Sequence, residues 1–170
     1  DIEDLRPGMH ATFSKTITEA DIVLFAGVSG DNNAVHVNEE FAATTAFGGR
    51  IAHGFLTASV ISAAVANRLP GPGTIYMGQQ LKFRAPVRPG DTVHATVTVQ
   101  SVDPAKAQAV LTTVCRVGGN VVIEGEALRD LVPRCRIGGG SERDARHLRK
   151  ALVQHRERQI LGAGVVAPLG

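Results

Sequence analysis

Tryptophan is absent from the 170 residues and tyrosine occurs once, against six phenylalanines. Any core must therefore be built mainly from aliphatic side chains, which the 44% hydrophobic fraction amply supplies. Cysteine occurs only at Cys115 and Cys135, far apart and outside any metal-ligand spacing. That excludes a disulfide framework and a structural zinc motif, and it fits a reducing compartment, so a cytoplasmic setting is expected. Residues 1–17 carry acidic side chains and no apolar run, so no signal peptide or anchor is expected there. Internal repeats are lacking. The formal charge of +2 hides an asymmetry: residues 133–170 hold 8 Arg/Lys against 3 Asp/Glu, leaving 10 against 13 in residues 1–132.

What is present is organised around one helix-like run. From Gly54, the residues Phe55, Leu56, Ala58, Val60, Ile61, Ala63, Ala64, Val65 and Ala66 leave no polar face wide enough for solvent, and a helix apolar all round is a buried one. It is too short to span a bilayer comfortably, so its partner is other protein. Leu69-Pro70-Gly71-Pro72-Gly73 ends it. Upstream, Met9–Ile17 reads as a strand. Thr18 and Asp21 form a capping-box pattern for a helix through Val28 that Gly30 closes, and Asn38 can cap a short helix over Glu39–Thr45.

After Gly73 the period changes. Thr74–Phe83, Thr92–Val102, Ala107–Val117 and Val121–Val132 read as strands, most clearly where Val93, Ala95, Val97 and Val99 alternate with His94, Thr96 and Thr98. Pro89-Gly90-Asp91, Asp103-Pro104 and Gly118-Gly119-Asn120 are turn signals, which predicts an antiparallel meander. One strand, an apolar helix and four antiparallel strands satisfy one another when the sheet curls around the helix. The expected fold is thus α+β: a hot-dog domain over residues 1–132, with a curled antiparallel sheet wrapped around a buried central helix. Residues 133–170 read as a basic extension broken by Gly138-Gly139-Gly140, with a basic helix expected over Glu142–Leu161. Without interleaved aromatics its charge makes a weak footprint for nucleic acid, so neither nucleic acid nor membrane is an expected partner.

The chemistry sits beside the helix. Asp31 and His36 lie five positions apart in an expected loop, and a carboxylate next to an imidazole can move protons near neutral pH without a metal. Taken singly, each has a bland reading as a turn aspartate or a packed histidine. Asn33 can orient one of them by hydrogen bonding. Gly54 opens the buried helix, whose free amides and dipole suit an oxyanion. On that helix Gly54, Ala58, Ser62 and Val65 form one stripe, whose small residues would permit close packing against the sheet. Lys82, Arg84 and Arg88 read on their own as ordinary solvated charges. His53 reads as structural. A metal site from Asp31, His36 and His53 is a weaker alternative, since the spacing matches no usual ligand pattern.

Three segments together carry a resemblance: Ser29-Gly30-Asp31-Asn32-Asn33-Ala34-Val35-His36, Arg50-Ile51-Ala52-His53-Gly54, and Phe83-Arg84-Ala85-Pro86-Val87-Arg88-Pro89-Gly90-Asp91. Over residues 8–132 the chain resembles the (R)-specific enoyl-CoA hydratases of the MaoC-like dehydratase family. The resemblance implies reversible addition of water to a trans-2-enoyl thioester, with Asp31 and His36 sharing the water and the Gly54 amide holding the carbonyl oxygen. It also implies a supporting role for Ser62, no cofactor, a homodimer and an acyl-CoA substrate, whose acyl chain would run along Ala58, Ser62 and Val65 and whose phosphates would find Lys82, Arg84 and Arg88 as candidate partners. Ala34 and Arg50 stand where the family often has proline. A 3-hydroxyacyl-carrier-protein dehydratase, a hot-dog thioesterase and a non-catalytic acyl-CoA-binding module are the alternatives.

Overall fold

The structure is a computed structural model that describes residues 2–131. The basic extension, with Gly138-Gly139-Gly140, Cys135 and the helix expected over 142–161, lies outside the described residues. Strand β1 (His10–Thr16) leads into helices α1 (Glu19–Ser29), α2 (Ala34–Val37), α3 (Glu39–Ala43) and α4 (Gly54–Asn67). Strands β2 (Thr74–Phe83), β3 (Thr92–Asp103), β4 (Gln108–Val117) and β5 (Asn120–Leu131) follow. All pairings are antiparallel, in the order β1-β3-β4-β5-β2.

The meander is therefore β3-β4-β5, and β2 departs from it by pairing with β5 at the far edge. The link from β2 to β3 makes this possible. Three strand spacings amount to roughly 14 Å, and the intervening residues 84–91 reach well beyond that when extended. The link thereby carries Ala85-Pro86-Val87 across the end of the sheet nearest the start of α4, where the Ala52 amide donates to the Val87 carbonyl at 2.7 Å.

Curvature comes from three register shifts, at Tyr76/Gly78, Val99/Ser101 and Cys115/Arg116. An extra residue on one strand bends it and tightens its twist. The alternation read from β3 is realised: Val93, Ala95, Val97 and Val99 are buried under α4, while Thr92, His94 and Thr96 face outward and bond to Thr16, Ser14 and Thr12 of β1. The capping box is also present, with Thr18 Oγ1 accepting from the Asp21 amide and Asp21 Oδ2 accepting from the Thr18 amide.

Helix α4 differs from the expectation of burial on every side. Leu56, Thr57, Val60, Ile61, Ala64 and Val65 are buried, but Phe55, Ser59, Ser62 and Ala66 are exposed in the single chain. A five-stranded sheet curls over one face only. Small side chains on the other face leave room for close approach by a second body.

Arg129 is an anomaly in this apolar interior. It is fully buried, stacks over the Tyr76 ring, and its guanidinium nitrogens have no hydrogen-bond acceptor among the described residues. Desolvation pushes its pKa down to about 9, because an unpaired charge away from water is costly. Arg129→Met keeps much of the stem, removes the charge, and is expected to raise the melting temperature by a few degrees. With the folded pKa depressed, the unfolded chain holds the proton more tightly between pH 9 and 12, so wild-type stability rises with pH there. The variant should lack that rise, which melting curves across alkaline pH would check.

Candidate active site

Asp31 is set by the way α1 ends. Gly30 adopts the left-handed conformation at φ 76 and donates its amide to the Ala26 carbonyl, stopping the helix one residue before the carboxylate. Asp31 then receives a hydrogen bond on Oδ1 from the Asn33 amide at 3.2 Å and donates its own amide to Ser29 Oγ at 3.1 Å. Asn33 uses its side chain to cap α2 at the Val35 amide. His36 accordingly sits on a helical turn rather than in the expected loop, because that Asn cap nucleates Ala34–Val37.

The tautomer of His36 follows from its partner. Its Nδ1 lies 2.8 Å from the Ile51 carbonyl, and a carbonyl only accepts, so Nδ1 carries hydrogen and Nε2 presents its lone pair when neutral. Nε2 stands 4.0 Å from Asp31 Oδ2. That separation is too long for a direct hydrogen bond and lets one water molecule reach both atoms. The imidazole is mostly buried, whereas the Asp31 side chain is 52% exposed.

The start of α4 faces the same space. Its first internal bond runs from the Thr57 amide to the His53 carbonyl at 3.1 Å, so the amides of Gly54, Phe55 and Leu56 have no acceptor within the helix. His53 at the N-cap supplies no side-chain cap either. A cavity of about 320 Å³ opens here, walled by His36, Ile51, Gly54, Thr57, Phe83, Arg84, the 85–87 link and Ile123. Its size is that of a small-ligand site. Gly54 has little space for a side chain, since a Cβ would come within 2.8 Å of the Phe83 ring.

His36, Gly54 and Arg84 wall this cavity, whereas Asp31 and Asn33 are not among its lining residues; Asp31 stands beside it through its 4.0 Å approach to His36, and Asn33 through its amide bond to Asp31. Arg84 pairs with Glu124 at 2.5 Å and holds that carboxyl below its usual range. Arg88 donates to the Phe47 carbonyl beside the cavity, and Lys82 is exposed. The helix stripe is not part of the cavity wall in the single chain: Ala58 is half-buried, Ser62 is exposed and makes no contact with the acid and base, and Val65 is in the core. Ser62 stands eight residues beyond Gly54, roughly 12 Å along the axis.

Thr57 and Phe83 line the cavity without having been singled out in the sequence. Thr57 was legible as the residue one turn past Gly54; Phe83 was not, because only the sheet order sets it there. Arg50, read as a departure at a proline position, ties α1 to α3 by pairing with Glu19 at 2.6 Å and Glu39 at 3.1 Å.

Ligand atoms of Asp31, His36 and His53 lie within 4.8 Å of one another. The two rings, however, stack with centroids 3.9 Å apart at 30°. Ring nitrogens bind a metal in the ring plane, at a metal–nitrogen distance of about 2.1 Å, whereas two rings stacked face to face direct their nitrogens side by side rather than toward one point. These side chains, as placed, do not converge on an ion.

A curled antiparallel sheet laid over one helix, with a histidine that shares a cavity with that helix's N-terminus and an aspartate beside the histidine, defines a hot-dog protein with an acid–base site. The comparisons with known proteins carry this further. The family described as MaoC like domain matches residues 4–120, and the chain belongs to the MaoC-like dehydratase family. An (R)-specific enoyl-CoA hydratase of Rhodospirillum rubrum is 58% identical over 125 residues, 74% of this chain and 87% of that protein. A 3-hydroxybutyryl-CoA dehydratase of Methylorubrum extorquens is 50% identical, covering 74% and 80%. Among solved structures, the (R)-hydratase of A. caviae involved in PHA biosynthesis superposes with a TM-score of 0.74 at 42% identity, over 77% of this chain and 99% of that one.

Proposed function

We propose that this protein is an (R)-specific enoyl-CoA hydratase, adding water reversibly to a trans-2-enoyl-CoA to give an (R)-3-hydroxyacyl-CoA. The observation that carries the reading is the Asp31 Oδ2 to His36 Nε2 separation of 4.0 Å beside the free amides of α4. The thioester carbonyl accepts from the Gly54 amide, where the helix dipole stabilises the enolate-like charge that develops on oxygen. His36 Nε2 takes a proton from the water as its oxygen bonds to C3. Asp31 delivers a proton to C2. The pair carries one proton between them, and its passage from His36 to Asp31 restores the starting state. Water adds without net oxidation or reduction, so the reaction needs no cofactor. Asn33 supports Asp31 through its amide, and Arg84, with Lys82 and Arg88, lies on the side where CoA phosphates would pass. Incubation with a short trans-2-enoyl-CoA should bleach the enoyl absorbance without releasing thiol. Thiol release would mean a thioesterase, and activity only on a carrier-protein thioester would mean the dehydratase alternative.

The acyl chain would leave the carbonyl position along Ala58, Ser62 and Val65, the stripe leading away from Gly54, with Ser62 in a supporting place. Val65→Phe measures how far it follows that course. The expected result is a fall in kcat/KM for a long enoyl-CoA that a short one escapes. Equal losses on both, with a lower melting temperature, would return Val65 to the core, where overfilling costs ~1–3 kcal/mol.

The assembly expected is a homodimer joined edge to edge. β2 is an unpaired edge in the single chain, with Ile75, Tyr76 and Phe83 exposed and Phe55 of α4 against Phe83 at 5.9 Å between ring centroids. Open edges of this kind invite pairing. A mass that stays monomeric on concentration, with full activity, would refute it. No helix among the described residues is long and apolar enough to cross a membrane. The cytoplasmic setting rests on cysteine usage, two cysteines far apart in the sequence and no disulfide framework.

A further inference from the structure

His53 is 1% exposed, clamped between two rings, and assigned to no step above. It stacks on His36 at 3.9 Å and meets Phe25 of α1 at 4.9 Å. Its Nε2 lies 3.0 Å from the main-chain carbonyl of Asp31. Because a carbonyl only accepts, Nε2 must carry the hydrogen. Nδ1 is then a bare lone pair, buried without a partner.

Leaving a buried polar atom unsatisfied is unfavourable, and a core position would be cheaper to fill with phenylalanine or leucine. Histidine here therefore points to a use for the other nitrogen. The bonds of Asp31 make that use specific. Two of them, from its amide to Ser29 Oγ and from the Asn33 amide to Oδ1, span two residues each and shape the turn without placing it. The His53 bond spans 22 residues and ties the turn to the N-terminus of α4. One imidazole thus touches two parts of the site, the Asp31 main chain through Nε2–H and the His36 ring by stacking, on a residue that directly precedes Gly54.

We propose that His53 is a positioning residue for the reaction, holding the Asp31 carboxylate and the His36 ring at the 4.0 Å separation that lets one water serve both. The proposal rests on the hydratase reading for its catalytic consequence, though not for the tether itself. Misplacing a reacting group by about 1 Å can lower a rate ~10²-fold, so a modest loosening of the Asp31 turn is expected to lower kcat.

Two variants separate the roles of the ring. His53→Phe keeps a ring between Phe25 and His36 but has no donor. His53→Gln gives up the ring but can place an amide nitrogen where Nε2 stands. Both are made in the full chain alongside wild type, with melting curves, kcat and KM on a short trans-2-enoyl-CoA, and amide hydrogen exchange of residues 30–33. In His53→Phe, kcat should fall ~10-fold or more with KM within ~2-fold, the 30–33 amides should exchange faster, and the melting temperature should hold or rise. In His53→Gln, exchange protection and most of kcat should return even if the melting temperature falls. Unchanged exchange at 30–33 in His53→Phe overturns the tether, whatever the activity. Faster exchange with wild-type kcat overturns the positioning role. If wild type itself hydrates nothing, the exchange arm still decides the tether, and only the assignment of function fails.

Discussion

Asp31→Asn and His36→Ala are each expected to lower kcat for hydration at least ~10²-fold with the fold intact. Asn keeps the shape of the carboxylate and its contact with the Asn33 amide, but cannot hold and release the shared proton. Ala removes the Nε2 lone pair altogether. Neither residue belongs to the hydrophobic core: Asp31 is exposed, and His36 contributes to stability through one hydrogen bond and a stacked ring. The double variant should lose little more than either single one, because the groups act on one water as a unit. Steady-state kinetics with circular dichroism would check this. Near-normal hydration by either single variant would remove the assigned mechanism.

The second large effect is expected at Gly54, where two substitutions isolate a single hydrogen. Gly54→Ala and Gly54→Pro both add a Cβ that presses on the Phe83 ring. Only proline also deletes the amide hydrogen. Proline is otherwise well suited to the first helical position, where the N–H has no intrahelical acceptor, and His53 already has the extended conformation, φ −57 and ψ 137, that a following proline requires. Both variants should therefore retain α4. The alanine enzyme reports the steric effect of the Cβ, and the further loss in the proline enzyme reports the oxyanion contact, expected at ~10²-fold or more in kcat. If the two are equally impaired, the Gly54 amide does not hold the carbonyl.

Much of the fold was legible because it depends on local rules. The capping box at Thr18 and Asp21, the stop at Gly30, the α4 run and the two-residue period of β3 are all set by side chains within a few positions of each other. The place of β2 was not legible. Its sequence alternates as well beside β3 as beside β5, and only the length and course of residues 84–91 put it at the far edge. The same limit applies to the helix. Its composition announced burial on every side, but the single sheet covers one face and leaves Ser59 and Ser62 exposed.

At the site, the residue types and their spacing were enough to select Asp31, His36 and Gly54, since acid, base and helix start fall within 24 positions. Their working geometry was not. The 4.0 Å gap arises from bonds that join distant segments: His36 to the Ile51 carbonyl, His53 to the Asp31 carbonyl, and Ala52 to the Val87 carbonyl. Sequence by itself determined which groups could do the chemistry and on which helix they depend, because capping, periodicity and side-chain chemistry act locally. Tertiary structure alone decided that His53 stacks beneath the base, that Phe83 closes the cavity over Gly54, and that Arg129 is buried without an acceptor among the described residues. Those contacts join residues far apart in the chain, and no local preference encodes a distance across the fold.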